Sequence, residues 1–418
     1  MEERIRLQPN YNSTDSERYS LLRSGRRIPE LDGLRGVAIG LVIITHYFTA
    51  AVTVQRPNPL AYLQIATRLS WSGVDLFFIL SGFLIGGILL DARSSSNYFK
   101  VFYVRRACRI LPVYLIFCGL IALCYRFVYP SHLALLNWMF NFPMPWYSYL
   151  TFAQNFWMAH FNTLGPAALA ITWSLAIEEQ LYLTLPAVIR FVRPATLPYL
   201  LLAGILAAPV FRVALLIWWP HMQTALYALL PSRMDALLLG ALAAWAVRRP
   251  GVWNILVTRR RLLWCLFAFW GAGLAYFTST SSYYSIPTAS VGYDWLALFY
   301  LTALLLVLMH PNSWLGRAMR QRWLMGLGKI AYATYLIHVL VYGLCMAYFR
   351  HHGPFLQNRP DLWTTLAALV LTITLAQISW WLFEQKFVRF GHRFKYESVT
   401  AGNSPNTMPE AQTSRDIR

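Results

Sequence analysis

GVDLFFILSGFLIGGILL, residues 73–90, is an eighteen-residue run with a single charge, Asp75, near its start. A run of that length and apolarity is long enough to cross the hydrocarbon core of a bilayer as one helix. Working outward, further apolar runs near twenty residues fall at 34–53, 110–129, 171–189, 197–217, 231–247, 262–278, 293–310, 330–349 and 362–384. The 197–217 run is the least regular, interrupted by Pro209 and Arg212. The sequence therefore predicts an all-α, polytopic membrane protein of about ten transmembrane helices.

Composition agrees. Charged residues are 13% of the 418, about half of what a soluble domain carries. The formal charge of +19 is distributed in short clusters between apolar runs, without the basic stripe of a nucleic-acid-binding surface, so nucleic acid is excluded and anionic lipid is the expected partner. With the N-terminus inside and the sides alternating, 28 Lys and Arg fall in inside segments and four (Arg56, Arg68, Arg350, Arg359) outside, the rest lying within helices. That bias predicts ten spans with both termini cytoplasmic. The first thirty residues are polar and show no cleavable leader pattern, so the first apolar run is expected to stay in the mature chain. The expected organisation is a cytoplasmic segment 1–30, a transmembrane domain 31–390, and a polar tail 391–418, disordered from its composition. Five cysteines, odd in number and mostly in or beside apolar runs, form neither a disulfide framework nor a metal-ligand spacing, and no metal is expected.

The aromatic stretch NWMFNFPMPWYSYLTFAQNFW (137–157) belongs to an outside loop, 130–170, without Lys or Arg. Its Trp and Tyr suit the membrane–water boundary and read as an interfacial belt, with a lid over an acceptor site as the functional alternative.

Ionisable groups inside the membrane are functional candidates by default. Arg35 and His46 are eleven residues apart in LDGLRGVAIGLVIITH, so on a helix they share a face and stand about 16 Å apart along the axis. That places Arg35 at the cytoplasmic edge, able to hold phosphate in a bidentate fork, and His46 near mid-membrane, able to act as a general base. A snorkelling arginine stands beside the functional reading for Arg35; for His46 function is preferred. Glu178 and Glu179 lie about 10 Å below the outer edge, a depth that nearly matches that of His46 in a core of about 30 Å. Adjacent side chains diverge by about 100°, so at most one glutamate faces His46 and the other is expected to pair with a cation such as Arg126 or Arg212. Asp75 and Asp235 fall near outer helix ends, where solvation or capping competes with catalysis. Ser81 is expected to hydrogen-bond locally or mark close helix contact. It lacks a nucleophile-elbow context, and a serine hydrolase is not predicted. Asp32, Arg233 and His338 complete the candidates, and Glu384 is expected to answer the cytoplasmic arginines.

These residues resemble the acyltransferase-3 family of multi-helix membrane acyltransferases over roughly 28–390. The resemblance rests on LDGLRG with its Arg35–His46 spacing and on GVDLFFILSGFLIG. Six stretches follow in the family's order: YVRRACRILPVY, LTFAQNFW, TWSLAIEEQLYL, RMDALLLGALAA, GKIAYATYLIH and SWWLFEQKFVR. It implies an inner-membrane O-acyltransferase that takes acetyl from acetyl-CoA, with no tightly bound cofactor, and modifies a glycan hydroxyl on the outer side. It also implies that Arg35 and His46 are an essential pair, that Glu178 or Glu179 joins them, and that Arg105, Arg106 and Arg109 stand at the donor entrance. Ala333 and Thr334 depart from a Ser-Tyr-Ser-like stretch, and no hydrolase-like domain follows the last helix, so a partner step is expected to need a separate protein. A glycan or lipid-intermediate transporter is the competing class, disfavoured because no internal repeat is visible. A scaffold without chemistry would have little use for Arg35 and His46 on one face.

Overall fold

The computed structural model describes residues 13–23, 27–53, 59–141, 144–280 and 286–397. Among them are ten helices of sixteen residues or more: α1 Pro29–Ile44, α2 Gly73–Asp91, α3 Tyr98–Leu123, α4 Thr172–Phe191, α5 Leu197–Trp218, α6 Leu230–Val247, α7 Arg260–Thr280, α8 Tyr293–Met309, α9 Ala331–Arg350 and α10 Arg359–Ser379. The only β-pairing among the described residues is one isolated bridge, Val52–Leu356. Eight helical segments are long and apolar enough to cross a membrane; α4, with Glu178, Glu179 and Arg190, and α7 are not among those eight. The chain is an all-α, multi-pass membrane protein.

The helices expose apolar rather than polar faces. On α5, Leu200, Leu206, Val210 and Ile217 are exposed while Arg212 is buried, the reverse of a water-soluble helix. α5 runs on through Pro209 and Arg212 despite its irregular sequence. Arg212 is fully buried but satisfied, donating to Asp235 and Asp294 at 2.6 Å and to the carbonyls of Ser232 and Ala289.

Small residues set the closest helix pairs, as they do where lipid supplies no driving force between apolar faces. A β-carbon at Gly82 of α2 would collide with the Leu237 carbonyl of α6, and one at Gly240 would collide with the Ile79 carbonyl. The same device locks α1 to the short helices Trp314–Met319 and Arg322–Lys329. Gly33, Gly36 and Gly328 meet backbone carbonyls of Met319, Leu324 and Asp32 with no room for a side chain. At its far end α1 widens into a π turn, Thr45–Thr49, that carries His46.

α3 begins twelve residues earlier than its apolar run. Tyr98, Val101 and Phe102 bury one face of its first turns, so Arg105, Arg106 and Arg109 stand on the helix itself and not in the preceding loop. Between α3 and α4, in the aromatic loop, lie short helices at Leu133–Phe140, Trp146–Leu150, Gln154–His160 and Ala167–Ala170. Trp146 and Tyr147 are exposed, whereas Gln154 and Asn155 are buried. Gln180 of α4 donates to the Phe152 carbonyl and to Asn155, which ties the loop down. Of the predicted polar tail, residues 391–397 lie against the start of α3 and 398–418 fall outside the described residues.

Candidate functional site

Arginines from two helices converge on one cavity. Arg35 of α1 and Arg106 and Arg109 of α3 line a space of about 220 Å3 together with Ser81 of α2, Ser174, Glu178 and Tyr182 of α4, and Tyr332 and Tyr335 of α9. The rest of the lining is apolar, including Phe77, Leu84, Ile85 and Ile88 of α2. Asp32 fixes Arg35: its two carboxylate oxygens accept from Arg35 at 2.6 Å and Arg27 at 2.5 Å. Tyr182 donates to Glu178 at 3.1 Å and shares a 2.6 Å hydrogen bond with Ser81. Arg106 lies 5.8 Å from the Tyr182 ring centre. The result is a cationic mouth, a polar shelf and an apolar wall, suited to an anionic molecule with a slender apolar arm.

Ser174, Glu178 and Tyr182 repeat at every fourth position of α4 and so fall on one face. Of the two glutamates it is Glu178 that lines the cavity. Glu179 does not, and one of its carboxylate oxygens is buried with no hydrogen-bond partner. The expected pairing of a glutamate with Arg126 or Arg212 is not formed. Arg212 is committed to Asp235 and Asp294, and Arg126 lies exposed over the Phe127 ring. Ser81 bonds across helices to Tyr182, a non-local contact.

His46 stands apart from this cavity. Its Nδ1 lies 2.9 Å from the Val42 carbonyl, and its ring meets that of His338 edge-on with centroids 4.8 Å apart. Neither Glu178 nor Glu179 hydrogen-bonds to it among the described residues, which corrects the expectation that a glutamate orients the imidazole. A carbonyl oxygen can only accept, so Nδ1 of His46 carries the proton and Nε2 keeps its lone pair. The same logic applies to His338, whose Nδ1 is 2.7 Å from the Tyr335 carbonyl and whose buried Nε2 has no partner. Tyr335 links the two regions. It lines the cavity, its hydroxyl meets Ser174 at 2.6 Å, and its ring lies 5.9 Å from that of His338.

Asp75 and Asp235 are not solvated end residues. Each is almost fully buried, Asp75 paired with Arg233 and Asp235 with Arg212. Arg233 is also ringed by aromatics, 4.1 Å from the Tyr293 ring centre and 5.3 Å from that of Tyr227. A charge-rich helix end in a crowded bundle buries its ions and must pair them. Glu384 likewise departs from expectation: it is buried, and neither carboxylate oxygen has a hydrogen-bond partner, so it makes no ion pair with the arginines. Arg105 turns away from the main cavity and donates from Nε and Nη2 to the Phe394 carbonyl. Sequence reading missed Ser174, Tyr182, Tyr332 and Tyr335. The four-residue spacing on α4 was the available signal for the first two.

Comparisons with known proteins fit this geometry. A family model described as an acyltransferase domain, that of the acyltransferase-3 family, matches residues 28–381. The chain is 26% identical over 386 residues to "Peptidoglycan O-acetyltransferase OatA" of Listeria monocytogenes, covering 85% of this chain and 55% of that protein. It is 22% identical over 402 residues to "O-acetyltransferase OatA" of Staphylococcus aureus, covering 91% and 60%. It is 27% identical over 412 residues to "Putative peptidoglycan O-acetyltransferase YrhL" of Bacillus subtilis, covering 92% and 57%. The chain thus spans between half and two thirds of the length of these relatives. No solved structure matches. With the family model matched along most of its length, the chain belongs to the acyltransferase-3 family.

Proposed function

We propose that this chain is an O-acetyltransferase of the inner membrane that moves acetyl from cytoplasmic acetyl-CoA to a hydroxyl of an exported or cell-surface carbohydrate. In this reading it has ten spans and both termini inside. The observation that carries the reading is the convergence of Arg35, Arg106 and Arg109 on one cavity walled by apolar side chains. Guanidinium groups are the residues of choice for phosphate, and an apolar channel suits a pantetheine arm. The names of the relatives make peptidoglycan the first acceptor to test.

The donor's phosphates rest on the arginines, and the arm runs past Tyr335 toward the histidine pair. Nε2 of His46 takes the proton of the acceptor hydroxyl as its oxygen attacks the thioester carbonyl. The carbon–sulfur bond breaks, and the leaving thiolate takes up a proton as coenzyme A departs. His338, edge-on to His46, holds the imidazole in place. In the covalent variant His46 itself attacks and carries acetyl to the acceptor in a second step.

The test is transfer of labelled acetyl from acetyl-CoA by the purified protein in lipid vesicles, wild type against His46→Ala, with and without peptidoglycan fragments. Label on the glycan with wild type alone supports the reading, and label retained on the protein without acceptor favours the covalent route. Folded protein that neither binds acetyl-CoA nor transfers label would overturn it. Nothing in the comparisons supports the transporter alternative.

A further inference from the structure

A second, smaller cavity of about 80 Å3 abuts the first at the proposed cytoplasmic end, and Arg106 and Arg109 wall both. One side of it is built by the segment that follows the last helix, Gln385–Gly391, with Gly391, His392 and Tyr396 in the lining. That segment is strapped down at several points. Arg105 donates twice to the Phe394 carbonyl and lies 5.1 Å from the Tyr396 ring centre. Asn97 donates to the Lys395 carbonyl at 3.0 Å, and the Glu397 amide donates back to Asn97 at 3.1 Å.

The lining of this cavity is cationic. No carboxylate lines it, and among the described residues no carboxylate lies within ion-pair distance of Arg106 or Arg109. By contrast, the neighbouring space on the other side of Arg35 holds Arg27 and Arg248 already paired with Asp32 and Asp91. The Tyr396 hydroxyl is buried with no hydrogen-bond partner. An unpartnered buried donor beside two unpaired guanidinium groups is an incomplete site, and a phosphate oxygen completes it.

We propose that the strap of residues 391–397 is part of the donor site. Tyr396 and His392, with Arg106 and Arg109, form a subsite for the nucleotide phosphates of acyl-CoA, and Arg105 is the positioning residue that holds the strap. This rests on the acetyl-CoA reading above and assigns it a substrate contact outside the matched family region, which ends at residue 381. Burial raises the Tyr396 phenol above its usual range, so it keeps its proton and donates. The strap contacts the nucleotide, and the larger cavity holds the arm, so the two halves of the donor are separable by experiment.

The full-length protein in vesicles is loaded with labelled acetyl-CoA and displaced with adenosine 3′,5′-bisphosphate, a nucleotide without the arm. Displacement from wild type is expected, with the concentration required rising about tenfold in Tyr396→Phe and His392→Gln, the worth of one hydrogen bond to a charged group. Arg105→Gln is expected to act in the same direction, with the trypsin sensitivity of the strap rising alongside. Equal displacement of wild type and variants, or no displacement at all while acetyl-CoA binds, overturns the subsite and leaves the acetyltransferase reading standing. Loss of acetyl-CoA binding by wild type overturns both. Repeating the measurement with and without phosphatidylglycerol separates the two sources of phosphate. A variant effect that appears only with the anionic lipid assigns the cavity to a headgroup and overturns the donor assignment.

Discussion

Asp32 holds two arginines with one carboxylate, and its loss has a definite signature. Asp32→Asn frees Arg35 from its 2.6 Å tether, so KM for acetyl-CoA is expected to rise about tenfold while kcat falls much less. His46→Gln removes the proposed base but keeps a polar side chain, and a loss in kcat of at least about a hundredfold is expected. Single-turnover transfer in vesicles reads both. His392 carries a pH dependence, because burial and the nearby Arg105, Arg109 and Arg106 hold its pKa below the ordinary histidine range. A phosphate bound beside it raises that pKa, so binding takes up a proton and affinity for acetyl-CoA should tighten as pH falls through that range. The other charged and titratable groups lining the same cavity are Arg105, Arg106, Arg109 and Tyr396. His392→Gln is expected to remove this component, leaving only the opposing protonation of the donor phosphate. A binding series from pH 8 to pH 5.5 checks it.

At the scale of helices, the buried ion pairs are structural ties rather than chemistry. Asp75→Ala strands Arg233 among aromatics and should destabilise the protein by about 3–5 kcal/mol, whereas Asp75→Leu combined with Arg233→Met should recover most of that. Thermal unfolding in detergent distinguishes the two outcomes. This is also where legibility from sequence stops. The ten apolar runs locate the ten long helices because length and apolarity are one-dimensional properties. Partners across helices are not. Asp75 and Arg233 lie far apart in sequence, and their burial follows from α2 and α6 touching through Gly82 and Gly240. The arginines at 105–109 were read as a donor entrance, but a search for apolar runs ended α3 short of them. Charged side chains on a helix face that lines a cavity look, in sequence, like the end of a span. Glu178 over Glu179 could have been chosen from Ser174 and Tyr182 one turn either side. The edge-on contact of His46 with His338 could not, since it joins positions 292 residues apart.

For the whole molecule, the arginine bias makes orientation testable. In a cysteine-free background, Trp146→Cys should react with an impermeant thiol reagent from outside intact cells, and Arg193→Cys only after the membrane is opened. The reverse pattern would invert the proposed topology. The glycine contacts of α1 bear on how such a protein can work at all. With Gly33, Gly36 and Gly328 seated against carbonyls, the helix bearing Arg35 and His46 has no clearance to slide or tilt against the Trp314–Met319 and Arg322–Lys329 helices. The separation of Arg35, the proposed donor anchor, from His46, the proposed base, is set by the one continuous helical segment that carries both. In the proposed reaction an acetyl group would then cross by reach, handed along the length of a substrate arm. Turnover should then depend on how freely the two substrates enter and leave, and not on an inward-to-outward rocking of the protein.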